Sequence, residues 1–298
     1  MIRKILKWTG ATIALLALVL VVTVAFRWDR TFDAPLPALK ASSDPQVIAR
    51  GRYLAFGPAH CSDCHAGIES RALIAQGGTP PLSGGMVFDI PPGVIRVPNI
   101  TPDSVTGIGK LTDAQIARMI RYGVRHDGRA ALPFMEFNNM NDSDIVAVIS
   151  FLRSSAAVSH AVEATDLNWM GKAVTAFMLK PLAPAEKPAG DRGEYMVDAL
   201  ANCAGCHTQR SMVSGAFTGA RLRGGIPMES SVNSGVKLTP PDLTGHPGGR
   251  AAIWTEDEFV ARFKAGERIP GSPMPWQAFG RMNEEDVRSI YRYLKSVP

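Results

Sequence analysis

The length of 298 residues and the 46% share of apolar residues allow one large domain or two ordinary domains with real cores. A net charge of +5 could suggest a nucleic-acid partner, but residues 1–43 alone hold six Lys and Arg against two Asp. Because no cluster of Lys and Arg stands out beyond this region, the charge indicates a membrane surface, and no nucleic-acid partner is predicted.

The N-terminal segment has the composition of a membrane anchor. Arg3, Lys4 and Lys7 precede 19 uncharged residues, Trp8 to Phe26. At about 1.5 Å per residue, this stretch is just long enough to cross a hydrocarbon core of about 30 Å. A cleaved signal peptide has a shorter apolar stretch, although the "TVA" before Phe26 leaves cleavage open.

We therefore predict a transmembrane anchor over residues 1–26, in the lipid bilayer of the cytoplasmic membrane. The basic residues on its short side predict a single pass, with the N-terminus in the cytoplasm and the rest of the protein on the periplasmic side. Residues 27–43 contain two prolines and the polar "KASSD", and they are expected to form a tether.

Beyond the tether the sequence occurs twice. Gly51 and Tyr53 lie 10 and 8 residues before Cys61, and Gly193 and Tyr195 lie at the same distances before Cys203. Further pairs of matching segments are PNIT and PDLT, TDAQ and TEDE, and NDSD and NEED, which begin at 98, 241, 112, 255, 141 and 283. The Thr and Asn residues that open the last two pairs predict helix N-caps, and TDAQ and TEDE are capping boxes.

All four cysteines lie in two pentapeptides, CSDCH at 61–65 and CAGCH at 203–207. A disulfide motif of the thioredoxin kind would be flanked by alternating strands and helices, and that pattern is absent. A zinc site with four Cys ligands would need both pairs in one domain, whereas they lie 142 residues apart. The interpretation that also uses the histidine is C-x-x-C-H, the attachment signal of c-type haem. Two covalently bound haem c groups are predicted, on Cys61, Cys64 and His65 and on Cys203, Cys206 and His207.

With these motifs, each half resembles a class I cytochrome c domain. The whole chain resembles membrane-anchored dihaem cytochromes and the cytochrome subunits of bacterial alcohol and gluconate dehydrogenases. The resemblance implies an all-α fold, with two tandem cytochrome c-like domains behind one N-terminal transmembrane helix. The expected domains are residues 44–155 and 190–298, joined by a linker over 156–189 that is rich in proline.

The resemblance also implies a methionine as the sixth iron ligand, which suits electron transfer. Met274, in GSPMPWQAF, matches the ligand loop of the family. In the first half, the position nine residues before Asn141 is Leu132, and the nearest methionine is Met135 in ALPFMEF. Either the loop is three residues shorter after the ligand and Met135 binds iron, which we predict, or that iron lacks a methionine. The other histidines, including His60, are expected to be solvated.

The function implied is electron transfer, with no catalytic residues in this chain, because the redox chemistry belongs to the cofactor. Electrons would pass from a membrane or periplasmic dehydrogenase to an oxidase or a soluble cytochrome. The alternative is a dihaem peroxidase or another haem oxidoreductase with an open site at the first haem. The irregular first loop favours that alternative, and the strict repeat counts against it. A role in assembling a dehydrogenase is compatible with electron transfer.

Overall fold

The computed structural model describes residues 1–184, 190–211, 216–233 and 235–298. Thirteen α-helices, a 3-10 helix (Ile68–Ser70), a π-helix (Met196–Leu200) and five short strands are formed within these ranges. The helices are α1 (Ile2–Arg27), α2 (Pro45–Phe56), α3 (Cys61–His65), α4 (Arg71–Ala75), α5 (Asp113–Tyr122), α6 (Asp142–Ser154), α7 (Trp169–Phe177), α8 (Arg192–Tyr195), α9 (Cys203–His207), α10 (Arg250–Ile253), α11 (Glu256–Lys264), α12 (Trp276–Phe279) and α13 (Glu284–Ser296). The strands are β1 (Val87–Ile90), β2 (Gly93–Arg96), β3 (Asp166–Leu167), β4 (Met228–Glu229) and β5 (Lys237–Leu238).

Helix α1 is 26 residues long and almost wholly exposed along its apolar length. Among the described residues it is the one helix whose length and composition suffice to cross a membrane, and a signal sequence would share both properties. Val24 is its one buried residue, at the end where the chain leaves the helix. Helix α7 packs against α1.

In each half, the first and last helices pack against each other through a glycine. In the first half α2 packs on α6, and a Cβ at Gly51 would lie 1.8 Å from the carbonyl oxygen of Ala147. In the second half α8 packs on α13, and a Cβ at Gly193 would lie 2.2 Å from the carbonyl oxygen of Ser289. No other residue allows the backbones to approach so closely.

The predicted helix caps are formed. The Thr112 and Thr255 side chains accept hydrogen bonds from the backbone of Gln115 and Glu258, and both capping boxes are complete. Asn141 caps α6 and Asn283 caps α13 in the same way. These caps set where the middle and last helices of each half begin.

The prediction of an all-α fold needs a correction, because two small antiparallel sheets are present. Strands β1 and β2 form a hairpin on which β3 adds a third strand, and β4 pairs with β5. The strands are two to four residues long, too short for an alternating pattern to show in the sequence. The Pro91-Pro92 pair between β1 and β2 is the turn signal that was missed.

The tether and the described part of the linker lie along the first domain. In the tether, the Ser42 N–H donates to Ser150 Oγ at 2.8 Å. In the linker, the Val158 carbonyl accepts from Asn99 Nδ2 at 2.8 Å, and the Leu182 N–H donates to the Tyr122 carbonyl at 2.8 Å. Half of the proline-rich segment of the predicted linker, residues 185–189, lies outside the described residues.

A reciprocal set of hydrogen bonds joins the two halves, and we call it the tyrosine clasp. The Tyr195 hydroxyl donates to Asp144 Oδ2 at 2.8 Å and accepts from the Asn141 N–H at 3.2 Å. In the opposite direction, the Tyr53 hydroxyl donates to Asp286 Oδ2 and accepts from the Asn283 N–H at 3.2 Å. Each tyrosine therefore binds the capped end of the other half's last helix.

An arginine of its own domain completes each half of the clasp. Arg50 Nε lies 2.9 Å from Asp144 Oδ1, and Arg192 Nη2 lies 2.5 Å from Asp286 Oδ1. Both aspartates are buried, so each carboxylate depends on these donors and on the positive end of its helix. Burial, with the neighbouring carboxylate, raises the pKa of Tyr53 and that of Tyr195, so both phenols remain protonated donors.

Candidate functional site

Both cysteine motifs fold as single helical turns with the same entry. In α3 and α9 the two cysteines are three residues apart, which puts both sulfur atoms on one side of the turn. The residue before each first cysteine is in the left-handed region, with φ of 39° at His60 and 45° at Asn202. The two motifs thus share one local geometry despite different residues between the cysteines.

The motif histidines are held in matching positions by backbone carbonyls. The His65 ring is buried, and its Nδ1 lies 2.8 Å from the Pro98 carbonyl oxygen. His207 is buried too, and its Nδ1 lies 2.8 Å from the Pro241 carbonyl oxygen. A carbonyl only accepts, so Nδ1 carries the proton and Nε2 keeps the lone pair that a metal needs. Burial lowers the pKa of His65 to about 4 and also lowers the pKa of His207, which keeps both rings neutral.

The cysteine surroundings fit thioether-forming thiols better than a zinc site. All four cysteines are free. Burial raises the pKa of Cys61 and Cys203 to about 12 and that of Cys64 to about 11, so these thiols stay protonated at neutral pH, whereas zinc ligation needs thiolates. Within the described ranges, no group of three or more His, Cys, Asp and Glu side chains could hold a metal ion.

Met274 is the predicted sixth ligand of the second haem. It is half-buried in the loop before α12, and it packs against the same apolar cluster as Cys203. The Trp276 N–H donates to the Met274 carbonyl at 2.7 Å, which turns the chain into α12. A neutral imidazole at His207 and the thioether of Met274 are the two donor types that hold haem iron in electron carriers.

The first half places Leu132 and Met135 differently. The backbone bond from Phe134 N–H to the Leu132 carbonyl, 2.8 Å, repeats the Trp276 to Met274 bond, so Leu132 occupies the backbone position of Met274. Yet Met135, and not Leu132, packs against the apolar core, which is one cluster that spans both halves. The side chain that faces this cluster is thus a methionine in both halves.

The repeated PNIT and PDLT segments serve the local turn. The Thr101 hydroxyl donates to Asn99 Oδ1 at 2.7 Å, and the Thr244 hydroxyl donates to Asp242 Oδ1 at 2.8 Å. These bonds fix the chain just after Pro98 and Pro241, whose carbonyls orient the motif histidines. The two threonines therefore act on the site through the backbone.

Each motif also adjoins the methionine loop of the opposite half. Asn202 Nδ2, just before α9, donates to Glu136 Oε2 at 3.0 Å, next to Met135. Helix α12, just after Met274, packs against α3 and α4. The His60 ring lies between Phe137 and Phe279, at 6.0 and 5.4 Å between ring centroids, so the expectation that His60 is solvated is wrong.

Sequence reasoning found the cysteines, histidines and candidate methionines but missed three kinds of supporting residue. These are the proline carbonyls, the tyrosine clasp and the aromatic rings around His60. The matching positions of Tyr53 and Tyr195 were visible as part of the repeat. Their crossed pairing was not, because either tyrosine could have bonded to its own domain.

The comparisons with known proteins agree with this geometry. Residues 191–298 match the family model described as Cytochrome c. The recognition made from the sequence is confirmed, because the relatives include cytochrome subunits of dehydrogenases and a dihaem cytochrome c.

Three of these relatives differ in how much of their own length this chain covers. The cytochrome c subunit of alcohol dehydrogenase (quinone) from Gluconobacter oxydans is 29% identical over 288 residues, which cover 86% of this chain and 56% of the relative. The gluconate 2-dehydrogenase cytochrome c subunit of Pantoea cypripedii is 29% identical, covering 84% of this chain and 59% of the relative. A "Diheme cytochrome c-type" protein of Cereibacter sphaeroides is 26% identical, covering 95% of this chain and 96% of the relative. The chain thus spans little more than half of the two dehydrogenase subunits, but nearly all of the dihaem cytochrome.

Proposed function

We propose that this protein is a membrane-anchored dihaem c-type cytochrome that transfers electrons and catalyses no reaction of its own. The observation that carries the proposal is the matched pair of motif histidines, each buried and each bonded through Nδ1 to a proline carbonyl at 2.8 Å. When bound, each haem would supply a centre that takes up and releases one electron. The chain's own residues hold, orient and enclose that centre.

The proposed attachment uses two thioether bonds and one axial nitrogen in each half. Cys61 and Cys64 would bind the first haem with His65 as axial ligand, and Cys203 and Cys206 the second with His207. Met135 and Met274 would supply the opposite axial ligands. A closed pair of axial ligands leaves no position for a substrate, which favours a carrier over an enzyme.

The interface supports transfer between the two haems. Because each motif adjoins the methionine loop of the other half, both motifs lie at the interface between the halves. The tyrosine clasp fixes that interface with partly buried, charge-assisted hydrogen bonds. Electrons would enter at one haem and leave at the other without a large domain movement.

For location, we propose that α1 anchors the chain once in the cytoplasmic membrane, with both haem domains on the periplasmic side. The basic residues Arg3, Lys4 and Lys7 at the short end support this orientation. A membrane or periplasmic dehydrogenase as donor is supported by the relatives named as dehydrogenase cytochrome subunits. The acceptor would be an oxidase or a soluble cytochrome.

Haem stoichiometry tests the proposal directly. The purified protein should hold two haems per chain that resist acidic organic extraction, because thioether bonds survive unfolding. The double variant Cys203→Ala/Cys206→Ala should retain one such haem, and Cys61→Ala/Cys64→Ala should retain the other. A wild-type protein without a Soret band, or with zinc bound in its place, would contradict the proposal.

The alternative, a peroxidase or another oxidoreductase with an open first haem, is favoured by the displaced methionine of the first loop. The oxidised protein distinguishes the two functions. A carrier should show two low-spin haems and react slowly with peroxide and cyanide. A high-spin component with rapid peroxide binding would put the enzyme first.

A further inference from the structure

Helix α7 exposes large apolar side chains and buries small residues, the opposite of an ordinary surface helix. At about 100° per residue, six residues fall on one half of the helix circumference. They are Trp169, Met170, Ala173, Val174, Phe177 and Met178, all apolar. The four largest of them are between 41% and 49% exposed. The buried side instead carries the small residues Gly171, Thr175 and Ala176.

The inward side of α7 is fixed to the first domain. A Cβ at Gly171 would lie 2.1 Å from the Pro92 carbonyl oxygen, so the helix starts directly against the β1–β2 turn. Asn168 caps the helix and donates from Nδ2 to the Pro91 carbonyl at 2.7 Å. The apolar outer side therefore cannot turn inward without breaking these contacts.

The other end of α7 is fixed to the membrane anchor. Arg30 Nη2 donates to the Leu179 carbonyl at 2.8 Å, and Lys172 Nζ lies 5.0 Å from the centre of the Trp28 ring. Val24 of α1 is fully buried. It lies two residues before Phe26, the last uncharged residue of the span, hence about 3 Å inside the end of the apolar segment.

We infer that α7 lies in the membrane interface beside α1, with its apolar side in the outer edge of the bilayer. The occupant of this surface is lipid, because α7 packs on α1 near the end of the span and both helices expose large apolar side chains. Trp and other apolar side chains on a short in-plane helix suit this depth. The inference rests on the proposed membrane anchor.

The consequence is a fixed orientation of the first domain. A single spanning helix followed by a free tether would let the haem domains rotate above the membrane. With α7 bound to lipid, to α1 and to the β1–β2 turn, the first domain is held at the membrane surface at two points. The redox partner reached by the first domain is then one that lies at the membrane.

The test uses the full-length, haem-loaded protein in vesicles of phosphatidylcholine and phosphatidylglycerol. A lipid-soluble photoactivated carbene reagent is applied, and labelled residues are located by mass spectrometry. Because the reagent is concentrated in the bilayer, residues 169–178 should carry label at a density similar to α1, and Val105 and Ile253 about tenfold less. Both controls are apolar and exposed, at 81% and 56%, and lie elsewhere on the surface.

A paired variant makes the result specific. Met170→Glu/Phe177→Glu should lose most of the α7 label while α1 stays labelled and both haems stay bound. Val105→Glu is the matched control and should change nothing. Label in α1 without label in α7 would overturn this inference alone, whereas an unlabelled α1 would overturn the proposed anchor with it. Protection of α7 that arises only when a purified dehydrogenase is added would assign the surface to protein instead of lipid.

Discussion

The two halves of the chain share the contacts that hold the proposed haem motif in place. They differ in the loop that would supply the sixth iron ligand. Both place a glycine at the helix crossing, a histidine on a proline carbonyl, and an arginine against a buried aspartate at the start of the last helix. They differ in the methionine loop, where Met274 and Met135 occupy different backbone positions. A residue that acts through a close backbone contact must stay at the same position in both halves. A methionine in a loop can move by a few positions, because its long, flexible side chain can still reach the same region.

The glycines give the largest expected effect. Gly51→Ala and Gly193→Ala each place a methyl group within 2.2 Å of a carbonyl oxygen, so the crossing helices must separate. We expect each to cost at least the upper end of the about 1–3 kcal/mol typical of overpacking, with reduced haem content. Denaturant unfolding followed by circular dichroism measures this.

The matched control is Gly10→Ala, where a Cβ meets nothing within 4 Å. It should leave the unfolding of the haem domains unchanged. If only one of the two crossing variants is destabilised, the halves are not equivalent at their helix crossings, and the comparison fails at its strongest point.

The methionines test the point at which the halves differ. Because methionine ligation raises the potential of a haem, Met274→Ala and Met135→Ala should each lower the potential of one haem and abolish one methionine-iron charge-transfer band. Redox titration with near-infrared spectroscopy measures both. Leu132→Ala is the matched control and should leave both bands in place. A band lost in Leu132→Ala and kept in Met135→Ala would reverse the assignment.

The helices of both halves could be predicted because their signals are local. A cap such as Thr112 or Asn141 acts on the next three residues, so the sequence alone reveals it. The bond from His65 to Pro98 spans 33 residues, and the Tyr53 bond to Asp286 spans 233. No sequence pattern fixes such pairings, since they depend on how whole helices and domains pack.

The first methionine loop shows the same limit within the site itself. Counting residues from the helix cap led to Leu132, and the residue type led to Met135. In the structure, the backbone of Leu132 makes the hydrogen bond that matches Met274, whereas the side chain of Met135 packs on the core as that of Met274 does. Side-chain direction in an irregular loop has no period from which it could be predicted.

The tyrosine clasp gives a smaller effect that should be equal in both directions. Tyr53→Phe and Tyr195→Phe each remove one hydroxyl that bonds to a buried carboxylate of the other half. We expect each to lower the free energy of unfolding by about 1.5–3 kcal/mol, the range for hydrogen bonds to charged groups. The transfer rate between the haems should change as well, because the interface loosens.

Tyr291→Phe is the control for the clasp. Its hydroxyl donates to the Trp254 carbonyl at 2.8 Å inside the second half. It should cost about 0.5–1.5 kcal/mol, as a neutral bond does, and leave the transfer rate unchanged. Clasp variants whose unfolding and transfer rate both match the wild type would show that the crossed bonds do not hold the halves together.

The smallest expected effect concerns His60, which has Asn202 as its counterpart in the second half. Burial of the ring lowers the pKa of His60 below its ordinary 6.5, so the folded protein keeps it neutral. As pH falls below about 6.5, the unfolded chain takes up a proton that the folded chain refuses, and stability is lost at no more than about 1.4 kcal/mol per pH unit. His60→Asn copies Asn202, which suits the same left-handed backbone, and should remove this loss. Denaturant unfolding at about pH 7.5 and about pH 5 should therefore show a smaller difference in unfolding free energy in the variant than in the wild type.

The exposed His246 serves as the control, and His246→Asn should leave this difference in unfolding free energy unchanged. An equal difference in the wild type and in His60→Asn would mean that the ring gains its proton without cost, and hence that the aromatic enclosure opens to water.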